Sequence, residues 1–278
     1  MRYQLMRSLG NYTAHLILIF FALTALLPLS LVAVNSFKTH REVVKNPLAL
    51  PEILDIENYS QAWEFGKFQR GFVNSVKLSG TAIITVLFCS SLAGYVLAGK
   101  KIRLWPFVMI YFMVAMTVPI QLFLFPLYYV FAQLDLLGNV HAVGVVLAAL
   151  NLPLAVFLMR SFFLNVPKEL EEAAMIDGAG TIQILVRVML PLVSPGLITV
   201  AVIVGLQSWN EYLITSTFLQ GESNFTATLG FLSMNGTYTI DQGLMMAAAV
   251  IMIGPVIIFF VAVQRFFIDG LVSGALKG

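Results

Sequence analysis

Six stretches of this chain contain no Asp, Glu, Lys or Arg: residues 8–37, 78–99, 104–134, 136–159, 188–210 and 242–264. A helix rises about 1.5 Å per residue, so about 20 residues cross the roughly 30 Å hydrocarbon layer of a bilayer. Each stretch is long enough. Gly, Pro, Ser and Thr interrupt several of them, which helix bundles tolerate when neighbours satisfy the freed backbone groups. The remaining composition agrees. Of the 278 residues 59% are hydrophobic and 11% charged, with a mean hydropathy of +0.89. An average soluble domain is about 25% charged. So few charges cannot cover a soluble fold of this size, which excludes a soluble enzyme, a disordered tail and a nucleic-acid binder.

The expected fold is all-α: a polytopic membrane protein with six transmembrane helices, at 14–35, 77–98, 106–130, 138–159, 192–212 and 242–264, with 1–278 forming a single transmembrane domain. A seventh uncharged run, 223–240, holds Ser223, Asn224, Thr226, Thr228, Asn235, Thr237 and Thr239 and reads as a loop. The first span follows Arg2 and Arg7, like a signal peptide, but its apolar stretch from Ala14 to Val34 exceeds the 7–15 residues of a signal core. It is read as a true span.

Basic residues set the orientation. With the N-terminus inside, the cytoplasm receives Arg2, Arg7, Lys100, Lys101, Arg103, Arg160, Lys168, Arg187, Arg265 and Lys277. The outside receives Lys38, Arg41, Lys45, Lys67, Arg70 and Lys77, mostly in one mixed-sign segment. Both termini are then cytoplasmic. Cys89, the single cysteine, lies in an apolar run and reads as a packing residue.

The inner segment 165–191 is long enough for structure of its own. Pro167 suits the first turn of a helix, and Glu169, Glu171 and Glu172 favour its dipole. Ala173 and Ala174 are strong helix formers, Gly178 and Gly180 supply a stop, and a second short helix from Thr181 to Met189 leads to Leu190-Pro191. Such a helix can enter a groove on a partner, where alanines permit close approach. Physics alone ranks a plain interfacial amphipathic helix ahead of that reading.

The words EEAAMIDGAG at 171–180, with LP at 190–191, resemble the EAA loop of permease subunits of bacterial ATP-binding-cassette importers. ENYSQAW at 57–63, Asn74-Ser75, VPIQLFLFPLYYVF at 118–131 and WNEYL at 209–213 resemble carbohydrate-importer permeases, and the tail QRFFIDGLVSGALKG at 264–278 resembles the maltose-type permease that comes second in its pair. The resemblance covers nearly the whole chain from about residue 12. It implies a non-catalytic inner-membrane subunit working with a second, non-identical permease, two copies of a cytoplasmic ATPase and an extracytoplasmic sugar-binding protein, surrounded by lipid and without nucleic acid. It implies no cofactor on this chain: ATP and Mg belong to the ATPase, and no GxxxxGK[ST] loop occurs here.

Site residues follow from the same resemblance. Glu172, Ala173, Ala174, Asp177 and Gly178 are expected to couple to the ATPase, Glu172 by accepting a charge-assisted hydrogen bond. Gly274, Ala275, Lys277 and Gly278 form a tail expected to touch it. A sugar pathway needs polar groups near mid-membrane, and Asn151, Gln207, Trp209 and Asn210 are the candidates; a plain packing role is the stronger reading for each. Glu211 follows 23 uncharged residues and is expected at the outer interface or against the partner permease. Met234, Asn235 and Gly236 lie in an outer polar loop that either touches the binding protein or merely connects two helices.

Two alternatives stand beside this reading. One is an importer for another solute, such as an amino acid or phosphate. The other is a secondary transporter, which would need an Asp, Glu or His relay within the membrane; the six uncharged runs contain no Asp or Glu.

Overall fold

The computed structural model describes residues 2–99, 102–234 and 241–275, with side chains placed for 13–99, 102–234 and 241–264. Every regular element among them is helical. In chain order these are α1 (Arg2–Asn35), α2 (His40–Lys45), α3 (Glu57–Phe65), α4 (Phe68–Ala98), α5 (Trp105–Thr117), α6 (Leu124–Gln133), α7 (Val140–Leu164), α8 (Lys168–Ile176), α9 (Thr181–Ile184), α10 (Leu190–Leu192), α11 (Ser194–Trp209), α12 (Leu213–Phe218), α13 (Ala227–Ser233) and α14 (Gln242–Ala275). A single π turn, Leu185–Met189, joins α9 to α10.

Four stretches are long and apolar enough to cross a membrane: Thr13–Asn35, Phe68–Ala98, Val140–Leu164 and Gln242–Gln264. Two bent pairs bring the number of candidate spans to six. Trp105–Thr117 meets Ile120–Gln133 at 88°, and Thr181–Leu192 meets Ser194–Trp209 at 76°. The chain is therefore an all-helical polytopic membrane protein with four to six candidate spans.

The bends have local causes. Val118 is extended (φ −81, ψ 120), the conformation a residue before proline favours, and Pro119 follows. The uncharged run 104–134, which reads as one span, thus carries a right-angled break in its middle. The second bend falls at Val193, between Pro191 and Pro195. Pro191 has no N–H to offer the preceding turn, and the π turn before it absorbs the mismatch. The run 223–240, read as loop, contains a 3-10 turn at Glu222–Asn224 and then α13, while residues 235–240 lie outside those described.

The described residues fall into two compact units, one within 1–68 and 231–255, the other within 69–230 and 256–278. The second unit contains the larger core, in which α4 and α7 come into close contact. At Gly144 an added Cβ would lie 2.8 Å from Thr81 and 3.0 Å from the Leu78 carbonyl oxygen; at Gly94 it would lie 2.9 Å from Met159 Cβ and 3.0 Å from Arg160 N. Leu78, Val143, Leu147, Met159, Val200 and Phe218 pack around this contact. Arg160 donates from Nε to the Leu97 carbonyl at 3.3 Å, at the end of α4 where carbonyls lack helical partners, and its guanidinium lies 5.1 Å from the Trp105 ring centroid.

In the first unit, the candidate span within α1 is unburied. Its far end is tied down by polar side chains. The Asn58 amide donates to Ser36 O (3.1 Å) and Lys38 O (2.9 Å), and Tyr59 shares a hydrogen bond with Ser36 Oγ (2.7 Å). Lys38 is 1% exposed and donates from Nζ to Asn46 O (3.0 Å) and Pro47 O (3.4 Å). A buried cation is tolerated only when its donors find such acceptors.

Candidate functional site

The segment after α7 forms a helix, a tight turn and a second helix. Pro167 (φ −57, ψ 131) stands immediately before α8, where its missing N–H costs nothing, and Glu169 and Glu171 occupy the first turn. Asp177 caps the end, its N–H bonded to Ala173 O at 3.0 Å. Gly178 follows with φ +83. Its N–H bonds to Met175 O (3.0 Å), and the next N–H, Ala179, reaches back to Ala174 O (3.0 Å). These are the two bonds of a Schellman C-cap, which needs a left-handed residue after the cap and an apolar pair bracketing it. Ala174 and Ala179 supply that pair, both packed against the core.

This geometry explains the spacing of Glu172-Ala173-Ala174 and Gly178. Nothing lies within 4 Å of a Cβ built on Gly178, so the position demands glycine for its backbone angle and not for space. Beyond the turn, α9, the π turn and α10 run without interruption to Leu192, three residues past the Met189 end expected for the second helix.

Glu172, Ala173, Asp177 and Gly178 are exposed and Ala174 is half-buried. Two large apolar side chains stand beside the turn, Ile176 at 86% and Ile182 at 78% exposure. Glu171, one residue before Glu172, faces the bundle instead: the Tyr95 hydroxyl on α4 donates to its Oε1 at 2.7 Å. Between α8 and the ends of α4 and α7 lies a cavity of about 310 Å³, lined in part by Tyr95, Phe163, Lys168, Glu171 and Met175.

The pathway candidates do not converge on one point. Asn151 is half-buried, donates back to Leu147 O on its own helix (2.8 Å), and borders a narrow cleft with Ala155, Leu158 and Val200. The Trp209 ring stacks on Phe72 at 6.0 Å, with Nε1 buried. Gln207 and Asn210 are exposed, and Asn210 donates to Leu206 O at 2.9 Å. Met234 is buried; Asn235 and Gly236 lie outside the described residues. Gly274 and Ala275 belong to the last turn of α14, while Lys277 and Gly278 lie outside the described residues.

Several polar residues serve the backbone in ways the sequence reading missed. Glu211 accepts from Ile214 N (2.8 Å) and Thr215 N (2.9 Å), satisfying the open donors at the start of α12. Asn74 donates to Ser223 O and Phe225 O, both at 3.0 Å, and Ser75 Oγ accepts from Ala227 N at 3.0 Å. The available signal was position: Glu211 directly follows a long uncharged run, and Ser75 stands three residues before one.

Residues 90–272 match the family model described as the binding-protein-dependent transport system inner membrane component. The arabinooligosaccharides transport system permease protein AraQ of Halalkalibacterium halodurans is 33% identical over 263 residues, covering 93% of this chain and 94% of the relative. The melibiose/raffinose/stachyose import permease protein MelC of Bacillus subtilis is 33% identical over 230 residues, 82% of this chain and 83% of the relative. A crystal structure of a bacterial ABC transporter involved in the import of the acidic polysaccharide alginate contains a chain that superposes with a TM-score of 0.81 at 23% identity, over 93% of this chain and 96% of that one. The first two matches span the EAA-like turn and most of the bundle. The chain belongs to the family of binding-protein-dependent transport system inner membrane components, as a non-catalytic, multi-pass ABC permease subunit of the inner membrane.

Proposed function

We propose that α8 and the Gly178 turn form the handle by which a cytoplasmic ATPase moves this permease. The observation that carries the reading is the turn itself. A Schellman cap fixes the tip, Glu172 and Asp177 are exposed on it, and Ile176 and Ile182 stand bare beside it. Exposed apolar side chains rimmed by charge suit a protein groove better than water. Glu172 accepts a charge-assisted hydrogen bond from a basic group of the ATPase, and the small side chain of Ala173 lets the helix seat closely, while Ala174 packs inward against the bundle.

In this reading each bent pair is one span, which gives six, with both termini cytoplasmic and α8 between the fourth and fifth. The ten-to-six bias of basic residues supports that orientation. The working assembly pairs this chain with a second, non-identical permease, two copies of the ATPase and an extracytoplasmic sugar-binding protein. ATP and Mg act in the ATPase. ATP closure drives the handles together, the cavity between the two permeases opens outward, and hydrolysis returns it inward. Coupling requires the two states to differ in contacts at the docked helix. The solute is an oligosaccharide, a class supported by the names of the similar permeases. Gln207 and Asn210, exposed at the end of α11, are the pathway residues this reading favours. The tail, Gly274 to Gly278, and the loop with Met234, Asn235 and Gly236 meet the ATPase and the binding protein respectively.

The test is sidedness. In a Cys89→Ala background, Asp177→Cys is labelled by a membrane-impermeant maleimide in inverted vesicles and not in right-side-out ones. Labelling from the exterior ends the proposal.

A further inference from the structure

We propose that Tyr95 is a positioning residue which transmits displacement of α8 to α4, a role that rests on the coupling reading of α8. The two adjacent glutamates of the turn lie about 100° apart around the helix. Glu172 is exposed and available to a partner, whereas Glu171 is half-buried and accepts the Tyr95 hydroxyl at 2.7 Å. The donor is held firmly. Tyr95 is 3% exposed, its ring meets Phe163 edge-on at 5.6 Å, and its helix contacts α7 closely at Gly94 and Gly144. The acceptor is carried by an element that packs loosely just here, because the 310 Å³ cavity separates the start of α8 from the ends of α4 and α7. Across a void, van der Waals contact transmits little force, since the attraction falls away within an ångström of extra gap. A short hydrogen bond to a carboxylate is directional and strong enough to bridge it. Movement of α8 therefore reaches α4 directly through Tyr95 Oη, while α7 follows through the chain itself; Arg160 on α7, bonded to Leu97 O and lying over the ring of Trp105, ties the end of α4 to α7 at the start of α5.

The experiment is hydrogen–deuterium exchange on the assembled complex, with and without ATP and Mg, comparing residues 92–99 at the end of α4 with residues 168–180 of the handle. In the wild type, nucleotide changes exchange in both segments, by about fivefold or more, the scale of ordinary allosteric coupling. Tyr95→Phe keeps the ring and removes the hydroxyl; it retains the response at 168–180 and loses it at 92–99. Glu171→Leu, which removes the acceptor from the side of α8, gives the same pattern, while Glu171→Gln, whose amide oxygen still accepts, retains most of the response. A response at 92–99 that survives Tyr95→Phe and Glu171→Leu overturns the proposal, as does a wild type in which 92–99 is indifferent to nucleotide. If 168–180 itself ignores nucleotide in the wild type, the coupling reading of α8 fails first and the role of Tyr95 goes with it.

Discussion

Replacing Gly178 with valine isolates the backbone demand of the turn. At φ +83 an L side chain with a branched Cβ meets its own carbonyl, at a cost of roughly 1–2 kcal/mol. Space contributes nothing, because no atom lies within 4 Å of the added Cβ. Escape from the left-handed region breaks the Met175 and Ala174 carbonyl bonds, each worth about 0.5–1.5 kcal/mol net. Either route costs the turn on the order of 1–3 kcal/mol, small against the roughly 5–15 kcal/mol that hold a typical fold. The bundle should therefore assemble with its partners at normal yield, while the docking-competent turn becomes about 5- to 150-fold rarer. Sugar moved per ATP hydrolysed, measured in proteoliposomes with the purified partners, should fall by a similar factor. Gly178→Asn, which tolerates the left-handed region, should recover most of the loss, and Gly178→Ala should fall between them. Wild-type uptake in the valine variant, or an asparagine variant as impaired as valine, refutes the reasoning.

Three other outcomes follow from the same geometry. Glu211→Ala should lower thermal stability by about 0.5–2 kcal/mol through loss of the α12 cap, leaving the KM for uptake unchanged; a KM effect in Glu211→Gln would give the residue a substrate role instead. Gly243→Ala should prevent accumulation of folded protein in the membrane, because the new Cβ collides with the Lys38 carbonyl oxygen beside the Asn58 amide; normal yield would show that this knot can loosen. The Glu42 carboxyl is held below its ordinary value, first by the Thr39 N–H, then by the Thr39 hydroxyl, and further by the Glu52 N–H. A depressed carboxyl stabilises the fold above the ordinary glutamate range and stops doing so as pH falls through its lowered value. Amide protection over residues 39–46 should therefore hold at neutral pH and fade only below about pH 4.5; fading that begins near pH 6 would contradict the reciprocal hydrogen bonds between Thr39 and Glu42 at the start of α2.

The residues that carried the family resemblance were legible as words before they were legible as parts. Asn58, Asn74 and Glu211 each turned out to bind backbone groups left open where a long helix ends or a short one begins. For Asn58 and Asn74 the letters gave no partner, because the carbonyls they satisfy lie 20 to 151 positions away, whereas the N–H groups that Glu211 caps lie three and four residues on. Trp209 shows the same limit. An aromatic beside Asn210 suggests a sugar face, yet its ring is stacked on Phe72 from another helix.

What the chain determined unaided was its solvent. Uncharged runs of bilayer length, a scarcity of ionisable groups and an excess of basic residues in alternate connections are summed properties, and transfer free energy depends on the sum more than on arrangement. The glycine four residues after Ala174 in EAAMIDG was local enough to read as a stop. Only the tertiary structure decided that the 104–134 run breaks at 88°, that α4 and α7 touch backbone to backbone, and that of two neighbouring glutamates one faces a buried tyrosine and the other the solvent. Those outcomes depend on which distant surfaces meet, and contact energies between remote segments are not written in the order of the residues that make them.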